Sequence, residues 1–341
     1  MFRPAQNPVS RYQETWVDWL EEAPEARLEI LEDDTKSILA RNKSPDVPFA
    51  WSVNPYRGCQ HACAYCYARP SHEYLGMGAG TDFETKILVK RRAPELLRKA
   101  FMRPSWKGEV VSFSGNTDCY QPIEVKLGIT RACLEVCREF RNPVGILTRS
   151  AVIERDLDLL EALNEVTRLT VSVSIPMLDT KIARVIEPGA PSPKRRLQTI
   201  AALSERGIPV GVSLAPVIPG ISDRDIPKTL QLAREAGARW AWMLFLRLPG
   251  AVAEVFESRL QAGLPDRVDT VMNRVRRARG GELNDSRMGH RMRGTGESWE
   301  TTERLFSIWR ERLGFEGPPP PAEPSPFRRP DPNGQLSLFG A

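Results

Sequence analysis

The chain has 341 residues, of which 41% are hydrophobic and 27% charged, with a formal net charge of +5. That composition supplies a full core, and no apolar run approaches the ~20 residues of a membrane span, which leaves out disordered and membrane-spanning classes. So small a net charge defines no partner by itself, and its distribution along the chain carries more.

Residues 1–46 read as an acidic extension: from Glu14 to Asp34 there are nine acidic residues against Arg27 alone. Within it, Gln13 to Glu32 sets Trp16, Trp19, Leu20, Leu28 and Ile30 among carboxylates, which predicts a helix on the rim of the fold or a partly mobile segment with a solvated acidic face. The first residues, Met1 to Trp19, lack the basic-then-apolar pattern of a secretion signal, so a cytoplasmic chain is expected. In a reducing compartment the six cysteines read as ligands or core thiols, not disulfides.

From Phe49 onward short strands alternate with helical patterns, the mark of repeated βα units around a parallel sheet. Strands are expected at 49–54, 109–114, 144–148, 168–175, 210–215 and 239–246. Helices are expected at 93–102, 123–140, 152–164, 194–206 and 226–236. In the fourth strand Thr170, Ser172 and Ser174 point one way and Val171, Val173 and Ile175 the other, so the polar row lines a cavity and the apolar row meets helices. Six such units predict an α/β fold, a partial, TIM-like (β/α)6 barrel over 47–264, with its site in the loops at the strands' C-terminal ends. Residues 265–316 read as an Arg-rich helical region. Residues 317–334, with eight prolines and no apolar periodicity, read as an extended, disordered linker.

The chemistry gathers in the loop after the first strand. Cys59, Cys63 and Cys66 stand in a C-x3-C-x2-C spacing behind Gly58. Three thiolates are one fewer than a closed cluster or structural zinc site takes, which suggests a [4Fe–4S] cube whose fourth iron is open to a small molecule. The spacing alone leaves open a zinc site completed by His61 or, with better geometry, His72, and also three ordinary core cysteines.

The run from Asn54 to Arg69, with Arg57-Gly58 before the first cysteine and Tyr67-Ala68-Arg69 after the last, resembles the spore-photoproduct-lyase-like branch of the radical S-adenosylmethionine (SAM) enzymes. The resemblance covers roughly Val47 to Leu264. It implies a [4Fe–4S] cluster held by Cys59, Cys63 and Cys66, and SAM chelating the open iron. Reductive cleavage of SAM to a 5′-deoxyadenosyl radical would follow, with action on a damaged or modified nucleobase in DNA. In such enzymes an aromatic at the position of Tyr65 lies near the adenine. The segment Ser114-Gly115-Asn116-Thr117-Asp118 replaces the Gly-Gly-Glu-like pattern of the wider superfamily, so Ser114, Asn116 and Thr117 are expected toward the methionine end. Arg149 is expected on the SAM carboxylate, Ser174 on the ribose or carboxylate, and Arg184, with Glu187, in a segment common among relatives. Lyases of this type use a barrel cysteine as hydrogen-atom donor, which implies Cys119, with Tyr120 as a relay. Cys133 and Cys137, four apart on a helix, read as core.

Two basic stretches, eight Lys or Arg from Lys86 to Lys107 and seven Arg from Arg274 to Arg293, either track phosphates or are solvated helix faces. At the end of the chain Gln335-Leu336-Ser337-Leu338-Phe339 resembles the bacterial sliding-clamp-binding pentapeptide, and a tether would raise effective concentration on clamp-loaded DNA. The expected partners are therefore damaged duplex DNA, the clamp and an electron donor the sequence does not identify, with no membrane. The alternatives are a radical SAM enzyme for RNA or a peptide, and a non-catalytic iron–sulfur or zinc scaffold bound to the clamp.

Overall fold

The computed structural model describes residues 4–12 and 23–330. The pentapeptide 335–339 and the segment 13–22 lie outside the described residues.

Among the described residues ten strands are formed: β1 (Glu29–Glu32), β2 (Leu39–Arg41), β3 (Trp51–Val53), β4 (Tyr56–Arg57), β5 (Lys86–Val89), β6 (Val111–Phe113), β7 (Val144–Thr148), β8 (Leu169–Ser174), β9 (Val210–Val217) and β10 (Trp240–Phe245). Seven make one sheet in the order β10-β9-β8-β7-β6-β3-β2. Six of these run parallel, and β2 is an antiparallel edge on β3. The six parallel strands are the six expected from sequence, and the α/β partial-barrel fold is the one they build.

The reason is visible in the alternation. In β7, Val144, Ile146 and Thr148 are buried while Gly145 and Leu147 are half-buried, so both faces are covered, as a parallel sheet flanked by helices requires. In β8, the hydroxyl of Ser172 accepts from the indoles of Trp240 (3.2 Å) and Trp242 (3.4 Å), two strands away across the interior, so the polar row does face the barrel's inside. Between strands the helices bury one apolar stripe each. Ile129–Glu139 buries Ile129, Cys133, Leu134, Val136 and Cys137, which places both of these cysteines in the core. Pro193–Glu205 starts on a proline turn with the Ser192 hydroxyl accepting from the Arg195 amide (3.3 Å).

Each crossover returns the chain to the same end, so the C-terminal ends of β3, β6, β7, β8, β9 and β10 form one rim. The two edges of the sheet are tied together beside it. Gly289 donates its amide to Asp46 in the β2–β3 loop (2.5 Å), Arg291 pairs with the same carboxylate, and Phe245 at the end of β10 donates to the Met292 carbonyl (3.1 Å).

Four expectations need correction. Glu29–Glu32, expected within a rim helix or a partly mobile segment, is a strand that pairs parallel with β5, in a three-stranded sheet β1-β5-β4 that supports the cysteine loop. The helix expected over 123–140 is two, Glu124–Leu127 and Ile129–Glu139, because Gly128 turns the chain between them. The helical region after residue 264 is discontinuous: Val268–Arg277 and Glu297–Arg312 are helices, while 278–296 runs as turns.

The last correction concerns the proline-rich segment. Over 317–330 it lies strapped across the base of the barrel, opposite the rim. The Arg168 guanidinium donates to the Pro319 carbonyl (2.6 Å), the Ser325 hydroxyl to Gly108 (3.0 Å), and the Arg328 amide to Phe140 (2.9 Å). Phe327 sits against Phe101 and Phe140, each ring 6.1 Å away, and Arg329 caps the carbonyls of Arg103 and Trp106 (2.7 Å each). Composition alone hid a single aromatic anchor and its flanking arginines. Among the described residues no helix is long and apolar enough to cross a membrane.

Candidate active site at the cysteine loop

β3 carries the chain to the rim, β4 pairs it onto the small sheet, and Gly58 then turns it with φ +81°, into space where a side chain would press on the Phe83 carbonyl at 2.9 Å. The loop that follows is held from three sides. The Cys59 amide donates to the Phe83 carbonyl (2.9 Å), the Ala64 amide to Ile186 (2.8 Å), and the Gly189 amide to His61 (3.1 Å). Gln121, fully buried, accepts from the Gln60 amide (3.0 Å) and donates to the Gly58 carbonyl (3.0 Å), which cross-links the loop to the chain after β6.

Arg69 stands at the centre of this arrangement, with no exposed surface. Its guanidinium donates to the carbonyls of Ala62 (3.2 Å), Cys63 (2.8 and 3.0 Å), Ala79 (2.9 Å) and Gly80 (3.0 Å), and to the Glu84 carboxylate (2.5 Å). Glu84 also takes Arg259 (2.9 Å). In the sequence Arg69 stands out only as the end of the Asn54–Arg69 run. A buried arginine three residues past the last cysteine carries no periodic signal of its role.

Cys59, Cys63 and Cys66 are all free thiols. Burial pushes the Cys59 and Cys63 thiols up, Cys63 to about 12, and the nearby cysteines add to the effect on both. Three cations oppose it: the Arg149 Nη1 lies 3.0 Å from the Cys63 sulfur, Arg196 adds to its effect there, and Arg69 feels all three sulfurs. A thiolate-ligated cluster brings negative charge into a buried place, and this donor set with its flanking guanidiniums suits it. Among the described residues no three His, Cys, Asp or Glu side chains converge as ligands of a single ion. His72, the alternative zinc ligand, directs Nε2 at the Lys86 carbonyl (2.9 Å) and packs edge-on against Phe83. His61 lies 3.3 Å from Asp118, a buried carboxylate that burial would raise but that His61 and Arg149 hold at about 2.

Beside the sulfurs is a buried polar knot. Arg149, at the end of β7, donates to the Tyr65 phenol oxygen (2.7 Å) and to Glu187, which also receives the Tyr65 hydroxyl. Glu187 in turn is held by Arg196 (2.5 Å), itself buried and donating to the Ser174 carbonyl (3.1 Å). Burial works against the charge on Glu187, and Arg196 and Arg149 overcome it, so its carboxyl stays below the usual range. Burial likewise opposes the charge on Arg149, and Cys63, Tyr65, Glu187 and Asp118 hold its value well above the ordinary one. Tyr65 and Arg149 are thus brought together with Cys63. Glu187 and Arg196 give the knot its charge balance, and Arg196 had no sequence signal.

The other expected residues divide. Ser114 turns the chain after β6 at φ +73°, and its hydroxyl accepts from the Cys119 amide (3.0 Å). Asn116 donates its amide to the Asn54 side chain (2.7 Å), and the Thr117 hydroxyl donates to the Tyr56 carbonyl (2.9 Å), so these hold the rim loops to each other. The Ser174 hydroxyl donates to Ala215 (3.2 Å). Arg184 is exposed on the outer side of its helix and is not brought to the sulfurs. Cys119 and Tyr120 have no exposed surface and belong to the central core. Burial raises both well above their ordinary values, and Tyr120 faces Asp156.

A parallel α/β partial barrel with three unpaired thiols in one loop on its C-terminal rim defines a class of cluster-bearing enzymes. The sequence profile of the Radical SAM superfamily matches residues 53–233, and the chain belongs to that superfamily, whose members use a [4Fe–4S] cluster and SAM. An uncharacterized protein of Mycobacterium tuberculosis is 35% identical over 243 residues, 70% of this chain and 72% of the relative. The radical SAM Nalpha-GlyT isomerase of Pseudomonas phage M6 is 29% identical over 214 residues, 58% of this chain and 42% of the relative. The fold is similar to that of spore photoproduct lyase complexed with dinucleoside spore photoproduct, with a TM-score of 0.59 at 16% identity, covering 83% of this chain and 79% of that one.

Proposed function

We propose that Cys59, Cys63 and Cys66 hold the [4Fe–4S] cluster and that the chain is a radical SAM enzyme acting on a damaged or modified nucleobase in DNA. The observation that carries this reading is the set of three free thiols on the strand-end rim with Arg149 against the Cys63 sulfur. When bound, the cluster and SAM supply reductive cleavage of a C–S bond and a carbon radical. The protein's own part is orientation and exclusion of water. Arg69 fixes the loop backbone, Arg149 presents a guanidinium suited to two-pronged pairing with the SAM carboxylate, and Tyr65 offers an aromatic face beside it. Glu187 and Arg196 keep Arg149 in place.

The nucleobase reading is supported by the names of two proteins this chain is similar to. One is a phage isomerase named for Nalpha-GlyT and the other a lyase bound to a dinucleoside photoproduct. Cys119 and Tyr120, buried as they are, are not assigned as the hydrogen-atom relay. The pentapeptide 335–339 is proposed to bind the bacterial sliding clamp. A peptide of residues 334–341 that fails to bind purified clamp would end that part alone.

The test of the enzyme is anaerobic reconstitution with iron and sulfide, followed by assay of 5′-deoxyadenosine from SAM, with and without ultraviolet-irradiated DNA. Wild type should cleave SAM, and Cys59→Ala, Cys63→Ala and Cys66→Ala should each fail. A colourless zinc protein, or full cleavage by any one variant, refutes the assignment.

A further inference from the structure

We propose that Arg247, with Tyr67 and Arg291 beside it, forms an anion-binding edge on the barrel mouth that takes a phosphodiester of the substrate. The proposal rests on the nucleic-acid reading above and names how that substrate is held.

Arg247 lies two residues beyond β10, on the rim that also carries the cysteine loop. Its Nη1 meets the Met292 thioether at 3.7 Å, a weak acceptor, and its buried Nε has no acceptor among the described residues. Buried guanidinium N–H groups are rarely left so, since an unmade bond leaves the desolvation cost of the group uncompensated. The cation therefore stands ready for an acceptor that the chain itself does not provide.

The surroundings favour a charged acceptor over a neutral one. Arg279 donates to the carbonyls of Leu246 (2.9 Å), Arg291 (3.0 Å) and Arg293 (2.8 Å), bracing the segment that covers β10 while leaving its charge unneutralised by those contacts. Burial, and after it the repulsion of Arg247, lowers Arg279 to about 10; burial and Arg291 likewise lower Arg247. The nearby carboxylates are already engaged, Asp46 by Arg291 and Asp285 by Arg287 (2.8 Å). Arg247 is repelled by Arg279 and by the Asp46-paired Arg291, and a bound anion at Arg247 relieves that repulsion.

Tyr67 supplies the second half of the edge. It follows Cys66 directly, its hydroxyl donates to the Gly115 carbonyl (2.5 Å) just beyond β6, and the residue is 51% exposed. It also lies within the field of Arg247 and Arg291. An exposed aromatic face beside an under-bonded guanidinium is the pairing that holds a base and its phosphate in single-strand recognition. A phosphodiester gripped here would set the attached nucleobase next to the cysteine loop.

The test uses the reconstituted full chain and two neutral-or-charged probes, thymidylyl-thymidine and its uncharged methylphosphonate analogue, titrated anaerobically in a calorimeter. Wild type should bind the phosphodiester at least tenfold more tightly than the methylphosphonate. Arg247→Gln, checked for wild-type iron content, should abolish that preference, and Arg247→Lys should retain part of it. Equal binding of both probes by wild type overturns the proposal without needing any variant, as does an undiminished preference in Arg247→Gln. A wild type that cleaves SAM but binds neither probe overturns the nucleic-acid substrate class as well, and one that cleaves no SAM points to failure of the enzyme reading itself.

Discussion

Replacing Arg69 should unfasten the cysteine loop. In Arg69→Met the buried stem volume is largely kept, while the contacts to four loop carbonyls and to Glu84 are lost. Removing one partner of a buried, hydrogen-bonded charge pair costs about 3–5 kcal/mol. Glu84 retains Arg259, so its charge is not orphaned, and the expected loss sits near the lower end, about 3 kcal/mol. Arg69→Lys keeps the charge but not the planar fork, and a loss of about 2 kcal/mol is expected. Anaerobic urea unfolding gives the stability, and iron per chain after reconstitution gives the consequence for the site; both should fall together. A methionine variant within about 1 kcal/mol of wild type that still loads fully would show that Gln121 and the Phe83 and Ile186 backbone contacts fix the loop unaided.

Three further outcomes follow from named contacts. Gly108 has φ +79°, and a Cβ there would lie 2.2 Å from that of Phe327, so Gly108→Ala should expel the strap; rapid limited proteolysis within 317–330 should report it, and Phe327→Ala should do the same. Glu187→Gln should leave Arg196 buried beside a neutral amide and lower thermal stability by roughly 3 kcal/mol, and an unchanged melting curve would contradict the buried pair. Asp118 has a folded pKa of about 2, below its ordinary 3.8, so its contribution is full above the unfolded value and is lost as pH falls toward 2. On the order of 2 kcal/mol should disappear between about pH 5 and pH 2, and Asp118→Asn should flatten that limb of the stability curve.

The barrel was legible because its strands are short, apolar and regularly spaced, and Val144–Thr148 was bounded to the residue. What escaped was set by tertiary pairing. The strand Glu29–Glu32 is half carboxylate and acquires its conformation from β5, 54 or more residues on. The strap at 317–330 has the composition of a free linker, yet Phe327 finds a slot that only the folded base provides. At the site, the cysteine spacing was legible because a cluster dictates it. Arg149 and Tyr65 were singled out by the family resemblance, at the end of a strand and within the cysteine loop. Cys119, expected at the cavity mouth, lies with no exposed surface in the central core, and sequence spacing does not register such burial.

The most direct measurement of the central claim is electron paramagnetic resonance of the reconstituted, dithionite-reduced protein, recorded before and after adding SAM. The account predicts a [4Fe–4S]+ signal that changes shape with SAM, because three sulfurs leave one iron open to it. A cluster signal indifferent to SAM, or stoichiometric zinc with no signal, would contradict it.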